Sequence, residues 1–265
     1  MLGLQYSTLE KDRKDIRLLT ILPRGQNAPN TAQNNDGLVR CTLTVVSLNN
    51  PPPYTALSYV WGDALYRKQV LVDESVVEIT ANLEDAVRHF EQELEPVVIW
   101  ADALCINQED ISERNQQVQL MKHIYECASE VLIWLGPEDD ENDKTLGFLD
   151  KVGQQASKIG ISRLEISDIH NILSSDTKPS LCGIKESLEN MVQSSILNIP
   201  WLNLNELFNH PWFSRVWVLQ ELAVSRNGAA IISCGRKKLP YQHLSASLLF
   251  FNYFRMRAID RKSVV

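Results

Sequence analysis

Three short apolar runs constrain the fold more than any other feature of this chain: Tyr54–Trp61, Val97–Trp100 and Val131–Leu135. None is long enough for an ordinary helix, and none alternates with polar residues as a half-solvated strand does. Near-continuous apolar strands belong to sheets covered on both faces. Helical-period segments separate the three runs. After Asn82, a good N-cap, Leu83, Ala86, Val87, Phe90 and Leu94 recur at helical spacing until Pro96 stops them. Asp110 and Glu113 offer a capping box, opening a helix whose expected buried stripe is Val118, Met121, Tyr125 and Ala128. Strand, helix, strand, helix, strand is the pattern of an α/β fold with a mostly parallel sheet.

Other elements surround this core. Ile16–Leu22 and Leu38–Leu48 read as strands, the second alternating Val39, Cys41, Leu43 and Val45 with Arg40, Thr42 and Thr44. Gln69–Val72 and Val76–Ile79 read as a small hairpin. Past Pro137 the chain turns acidic, Ser-rich and weakly periodic until about Asn209. Phe213–Val224 is apolar almost all round and reads as a buried helix, and Ala229–Cys234 as a last strand. The domain expectation is therefore an N-terminal β extension over 1–53, a core in two parts (54–136 and 210–235), a mostly helical insertion over 137–209, and a helical tail over 236–265 with no capping signal at its end, as in a fragment of a longer chain.

Composition excludes several functions. The 265 residues suffice for one large domain or two small ones, and 44 % hydrophobic with 22 % charged residues is ordinary for a globular protein. Acidic residues outnumber basic ones 33 to 26, a formal charge of −7, which disfavours nucleic-acid binding. The densest basic stretches, Lys11–Arg17 and Arg236–Lys238, read as solvated faces. No stretch is long and apolar enough for a membrane helix, and the start of the chain shows no secretory signal. Five scattered cysteines without a Cys-x-x-Cys pair argue against disulfides and thiolate zinc, and for a cytoplasmic protein. No metal site is expected.

Open parallel sheets bind ligands beyond the carboxyl ends of their strands. There the first run delivers Ser58, Tyr59, Trp61 and Gly62, and the second delivers Asp102, followed by Cys105, Asn107 and Gln108. The helix near the end contributes Arg215, Trp217, Gln220 and Glu221. Glu221 lies in a segment too apolar for a surface helix, so it is either ion-paired, with Arg215 for instance, or a carboxylate lining a cleft. The indoles of Trp61 and Trp217 are either core or stacking surfaces. Asp102 either caps a turn or holds a ligand hydroxyl. Cys105 reads as a buried, inert thiol unless His123 or His210 activates it. Asn107 and Gln108 read as turn residues. No glycine-rich phosphate loop and no Gly-x-Ser-x-Gly elbow is present.

Three segments taken together resemble the fungal heterokaryon incompatibility (HET) domain: YTALSYVWG (Tyr54–Gly62), Trp100–Gly136, and WFSRVWVLQELAVS (Trp212–Ser225). Their order and spacing fit, including a variable insertion before the third. Ala101 departs from the bulkier aliphatic residue usual there. The resemblance implies a module that triggers cell death when unlike fungal cells fuse, working with itself or with an incompatibility partner protein. The family is also similar to Toll/interleukin-1 receptor (TIR) domains, which implies a flavodoxin-like sheet with helices on both faces. Trp217-Val-Leu-Gln-Glu221-Leu is similar to the plant TIR segment whose glutamate is required for cleaving NAD. On that likeness Glu221 is the catalytic position, Ser58, Tyr59, Trp61, Gly62, Asp102, Arg215 and Trp217 contact the substrate, and NAD or a related nucleotide is a substrate with no resident cofactor. A non-catalytic module acting by self-association or partner recruitment is the alternative.

Overall fold

A computed structural model describes residues 4–24, 37–91, 94–174, 177–195, 199–215 and 230–262. Among the described residues are nine strands and eight α-helices. They fall into two units, Met1–Glu138 with His210–Arg236, and Asp139–Asn209 with Lys237–Val265.

The first unit holds β1 (Asp15–Ile21), β2 (Val39–Ser47), β3 (Thr55–Tyr59), β4 (Arg67–Val72), β5 (Ser75–Thr80), α1 (Ala81–Phe90), β6 (Val97–Trp100), α2 (Asp102–Cys105), α3 (Ile111–Cys127), β7 (Glu130–Trp134) and β8 (Ala230–Cys234). These eight strands form one mixed sheet in the order β5-β4-β2-β1-β6-β3-β7-β8. Its centre is parallel: β3 pairs with β6 and β7, and β7 with β8, with Leu57 opposite Leu132 and Trp134 opposite Ser233. Consecutive residues Ala56–Tyr59 and Val131–Trp134 are all buried, so both faces of this part are covered, as unbroken apolar runs require.

The sheet as a whole is less parallel than the apolar runs suggest. β1 is antiparallel to both β2 and β6, and β4 to β5. The β4–β5 connection explains its own direction. Asp73 and Glu74 adopt φ of 46° and 68°, a two-residue turn with both residues left-handed, which can join only antiparallel neighbours.

Four local expectations need correction. Thr80, not Asn82, is the N-cap of α1; Asn82 lies within the helix and its side chain donates instead to the Val60 carbonyl at 2.6 Å. The helix also ends at Phe90, and Leu94 beyond it is exposed. In α3, Val118 is exposed and the inward face carries Gln117, Ile124 and Tyr125. Arg17 is the reason for this rotation. Read as part of a solvated face, it is 1 % exposed, and both Glu113 oxygens on α3 accept from its guanidinium at 2.7 and 2.9 Å. A buried guanidinium requires such a partner, so the polar residues Glu113 and Gln117 turn inward. Gln117 meets the Asp15 carbonyl at 2.9 Å.

The second unit contains α4 (Asp140–Ile159), α5 (Ile166–Leu173), α6 (Pro179–Ser195), α7 (Trp201–Phe208), a short strand β9 (Lys237–Pro240) and α8 (Tyr241–Lys262). Asp139 caps α4 by accepting from the N–H groups of Glu141 and Asn142, and Gly160 ends it in a left-handed conformation at φ 90°. Ala156, Ile172, Leu188, Val192, Phe250 and Tyr253 form a core of its own. Gly153 lets α4 and α8 meet backbone to backbone, for a Cβ there would lie 2.0 Å from the His243 carbonyl oxygen.

Candidate functional site

The exits of the neighbouring parallel strands β3 and β6 bring several sequence-predicted residues together. β3 ends at Tyr59, and the chain then turns through Gly62, whose φ of 79° a side chain would resist. The bond from Asn82 to the Val60 carbonyl ties this turn to α1. Trp61 emerges 45 % exposed. β6 ends at Trp100; Ala101, wholly buried, precedes α2, and Asp102 is its first residue.

Asp102 gathers this corner. Its Oδ1 accepts from the Tyr59 hydroxyl at 3.0 Å and from the Ala103 N–H at 2.8 Å, and its Oδ2 from the Trp61 indole N–H at 2.9 Å. Gln108 donates to the Asp102 carbonyl at 2.8 Å and so holds the end of the following loop against its start. Burial raises the Asp102 pKa above the ordinary carboxylate value, while the Trp61 and Tyr59 bonds and the positive charge of Arg215 oppose the rise. The Tyr59 hydroxyl is itself pushed well above its usual value, first by burial and then by the Asp102 charge.

Ser58, the preceding strand residue, serves a second group. Its Oγ accepts from the Trp212 indole N–H at 2.8 Å and from Arg215 Nη1 at 3.3 Å. Trp212 and Arg215 come from a 3-10 turn, Pro211–Ser214, and the residue after it; His210 caps that turn by accepting from the Trp212 N–H. Ser58, Tyr59, Trp61, Asp102 and Arg215 are thus brought into one constellation, with Gly62 in the turn beside it. Trp217, Gln220 and Glu221 lie outside the described residues, as does most of the helix expected over Phe213–Val224.

Cys105 has no nucleophilic setting. It is buried, its thiol is pushed up to about 12 chiefly by burial, and it accepts from the Ala101 N–H at 3.4 Å. His123 instead meets Glu126 at 2.8 Å on the exposed side of α3. Asn107 is a turn residue as expected, accepting from the Glu109 N–H at 3.2 Å. No group of residues suited to hold a metal ion occurs among the described residues.

Sequence reasoning passed over two contributors. Trp212 opens the third HET-like segment, but nothing in its spacing announces a bond to Ser58, 154 positions away. The Arg17–Glu113 pair supports the site from beneath: Glu113 also accepts from the Asn107 N–H at 2.7 Å, and Arg17 donates to the Cys105 carbonyl at 3.2 Å. A lone arginine within a β-pattern run, Ile16–Leu22, was the available signal.

The residues that build this corner fall inside a recognised family. The profile described as "Heterokaryon incompatibility protein (HET)" matches residues 54–221, well over half of the chain. The chain belongs to the heterokaryon incompatibility family. Among HET relatives, "Heterokaryon incompatibility protein 6, OR allele" of Neurospora crassa is 32 % identical over 229 residues. That stretch is 78 % of this chain but 32 % of the relative, so the chain spans about a third of the length of the curated protein it matches. No solved structure matches the chain. No helix among the described residues is long and apolar enough to cross a membrane.

Proposed function

We propose that the chain is a HET effector module of heterokaryon incompatibility and programmed cell death that acts by TIR-like cleavage of NAD or a related nucleotide, with Glu221 as the catalytic carboxylate. The supporting observation is the convergence of Ser58, Tyr59, Trp61, Asp102 and Arg215 beyond the carboxyl ends of two adjacent parallel strands, the side of an open α/β sheet on which nucleotides bind. The strand order supports a TIR-like, flavodoxin-like arrangement as well. In chain order the four strands of the central parallel part are β3, β6, β7 and β8, and in space they run second, first, third, fourth.

The chemistry asks little of the protein. In NAD the bond from ribose C1′ to the cationic nicotinamide nitrogen breaks, and its electron pair neutralises the leaving ring. No general acid is needed. Water adds to C1′ and gives up a proton. Glu221 would stabilise the oxocarbenium charge that develops on the ribose, the exposed Trp61 ring offers a stacking face, and Arg215 offers a cation to the substrate's phosphates.

Nicotinamide release by purified protein, concentrated and dilute, tests this reading. Glu221→Gln should lower it by on the order of 10²-fold or more while the circular dichroism spectrum stays unchanged. Equal turnover by wild type and variant would overturn the assignment.

One observation favours the non-catalytic alternative. The Asp102 carboxylate already holds three donors and the Ser58 oxygen two, so the corner also works as a clasp stiffening a signalling surface. On that reading cell toxicity survives Glu221→Gln and is lost when surface residues used in self-association or partner recruitment are changed.

A further inference from the structure

Within the first unit, a cleft of about 170 Å³ opens between α1 and the exits of β7 and β8. Asp85, Arg88 and His89 of α1 form one wall; Trp134, Glu138 and Arg236 form the other. The cleft adjoins the point where the order of the parallel strands reverses, between β3 and β7. At its base the two strand exits interlock, with the Gly235 N–H donating to the Gly136 carbonyl at 2.9 Å. A side chain at Gly235 is excluded, because its Cβ would lie 2.6 Å from Glu138 Cα.

Size and chemistry narrow what could sit here. Sites for drug-sized ligands run from roughly 300 to 1,000 Å³, so this space suits one fragment of a larger molecule. Its cations and carboxylates are mixed, unlike the uniformly basic lining that a bare polyanion prefers. Arg88 is fixed by Glu84 at 2.7 Å, by the Glu91 carboxylate at 3.6 Å and by the Gly37 carbonyl at 3.0 Å. Asp85 is held by Lys68 at 2.6 Å, and the His89 ring packs on Trp134 with centroids 5.2 Å apart. Trp134 is 1 % exposed, yet its indole N–H has no hydrogen-bond partner, which native interiors seldom tolerate. The wall thus presents Arg236 beside the fixed Arg88 for an anionic oxygen, with Asp85 and Glu138 as acceptors for hydroxyls.

We propose that this cleft binds the phosphorylated pentose of a nucleotide, a subsite separate from the Asp102 corner; the proposal rests on the nucleotide reading above for the identity of the whole ligand. Calorimetric titration of the purified chain with ribose 5-phosphate, and with inorganic phosphate in parallel, tests it. Wild type should bind ribose 5-phosphate more tightly than phosphate, and Arg236→Gln, an exposed position, should weaken that binding by about tenfold or more, as loss of a charged hydrogen bond does. Failure of the wild type to bind ribose 5-phosphate, equal affinity in Arg236→Gln, or no preference over phosphate would each overturn the proposal. NAD turnover measured alongside separates the two claims. Turnover without ribose 5-phosphate binding sinks the subsite alone. Arg236-dependent binding without turnover keeps the subsite and removes the hydrolase reading.

Discussion

The Trp61 indole N–H donates to Asp102 Oδ2 at 2.9 Å, joining the loop after β3 to the helix that begins where β6 ends. The two residues are 41 positions apart, and the bond exists only because β3 and β6 lie side by side. With the Tyr59 hydroxyl on Oδ1, it makes one carboxylate the fastener of the edge on which the proposed site depends.

Replacing this carboxylate should loosen the corner. In Asp102→Asn one oxygen becomes an NH₂ group facing a donor, either the Trp61 indole or the Tyr59 hydroxyl and Ala103 N–H. The expected cost is about 1–3 kcal/mol, read as a lower urea midpoint, with Trp61 fluorescence shifted towards that of a free indole.

The same residue should leave a pH signature. Its folded pKa is raised, with burial as the largest cause, so between the unfolded and folded pKa values the native state holds more protons than the unfolded one. Stability from this group is then present in full below the ordinary carboxylate value of about 3.9 and declines as pH rises through the folded pKa. The stability difference between wild type and Asp102→Asn should therefore shrink on going from acid towards neutral pH. A difference that stays flat or widens would contradict the assignment.

Arg17 and Glu113 should behave as a unit. Glu113→Gln leaves the Arg17 charge buried without its carboxylate, with an expected loss of about 3–5 kcal/mol in chemical denaturation. Arg17→Lys should also destabilise, because an ammonium cannot reproduce the two-pronged contact. The double change Arg17→Met with Glu113→Leu should cost less than the two single changes summed.

Gly153→Ala reverses a usual rule. In an exposed helix that change gains about 1 kcal/mol. Here the new methyl meets the His243 carbonyl, so α4 and α8 must separate, and a loss of about 1–3 kcal/mol is expected in the melting of the second unit.

Cysteine labelling separates buried thiols from an exposed one. Cys182 is exposed, whereas Cys105 and Cys41 are buried with thiols pushed up to about 12. Native protein should lose Cys182 to a thiol reagent first and retain Cys105, and on the proposed reading Cys105→Ser should leave cell toxicity intact. Loss of toxicity in that variant would revive a cysteine-based mechanism.

What the sequence determined by itself was local and periodic. Val97–Trp100 reads as a strand because its apolar residues are continuous, and it forms one, with Ile99 and Trp100 buried. Of the capping box expected from Asp110 and Glu113, the half written locally forms, Asp110 accepting from the Ser112 and Glu113 N–H groups, while the Glu113 carboxylate goes to Arg17 and the Asn107 N–H instead. The motifs of the HET family lie in these same short stretches. Tertiary structure decided whatever needed a partner distant in sequence. Arg17 sits in a stretch that reads as a solvated face, and only the packing of α3 on β1 supplies the Glu113 carboxylate that lets it be buried. Asn82 looks like a cap until the Val60 carbonyl is found beside it. The direction of β1 against β6 leaves no trace in periodicity, since parallel and antiparallel pairing share the same two-residue repeat. Short-range hydrogen bonds and side-chain period are written along the chain, but the partner of a buried charge exists only once the chain has folded back on itself.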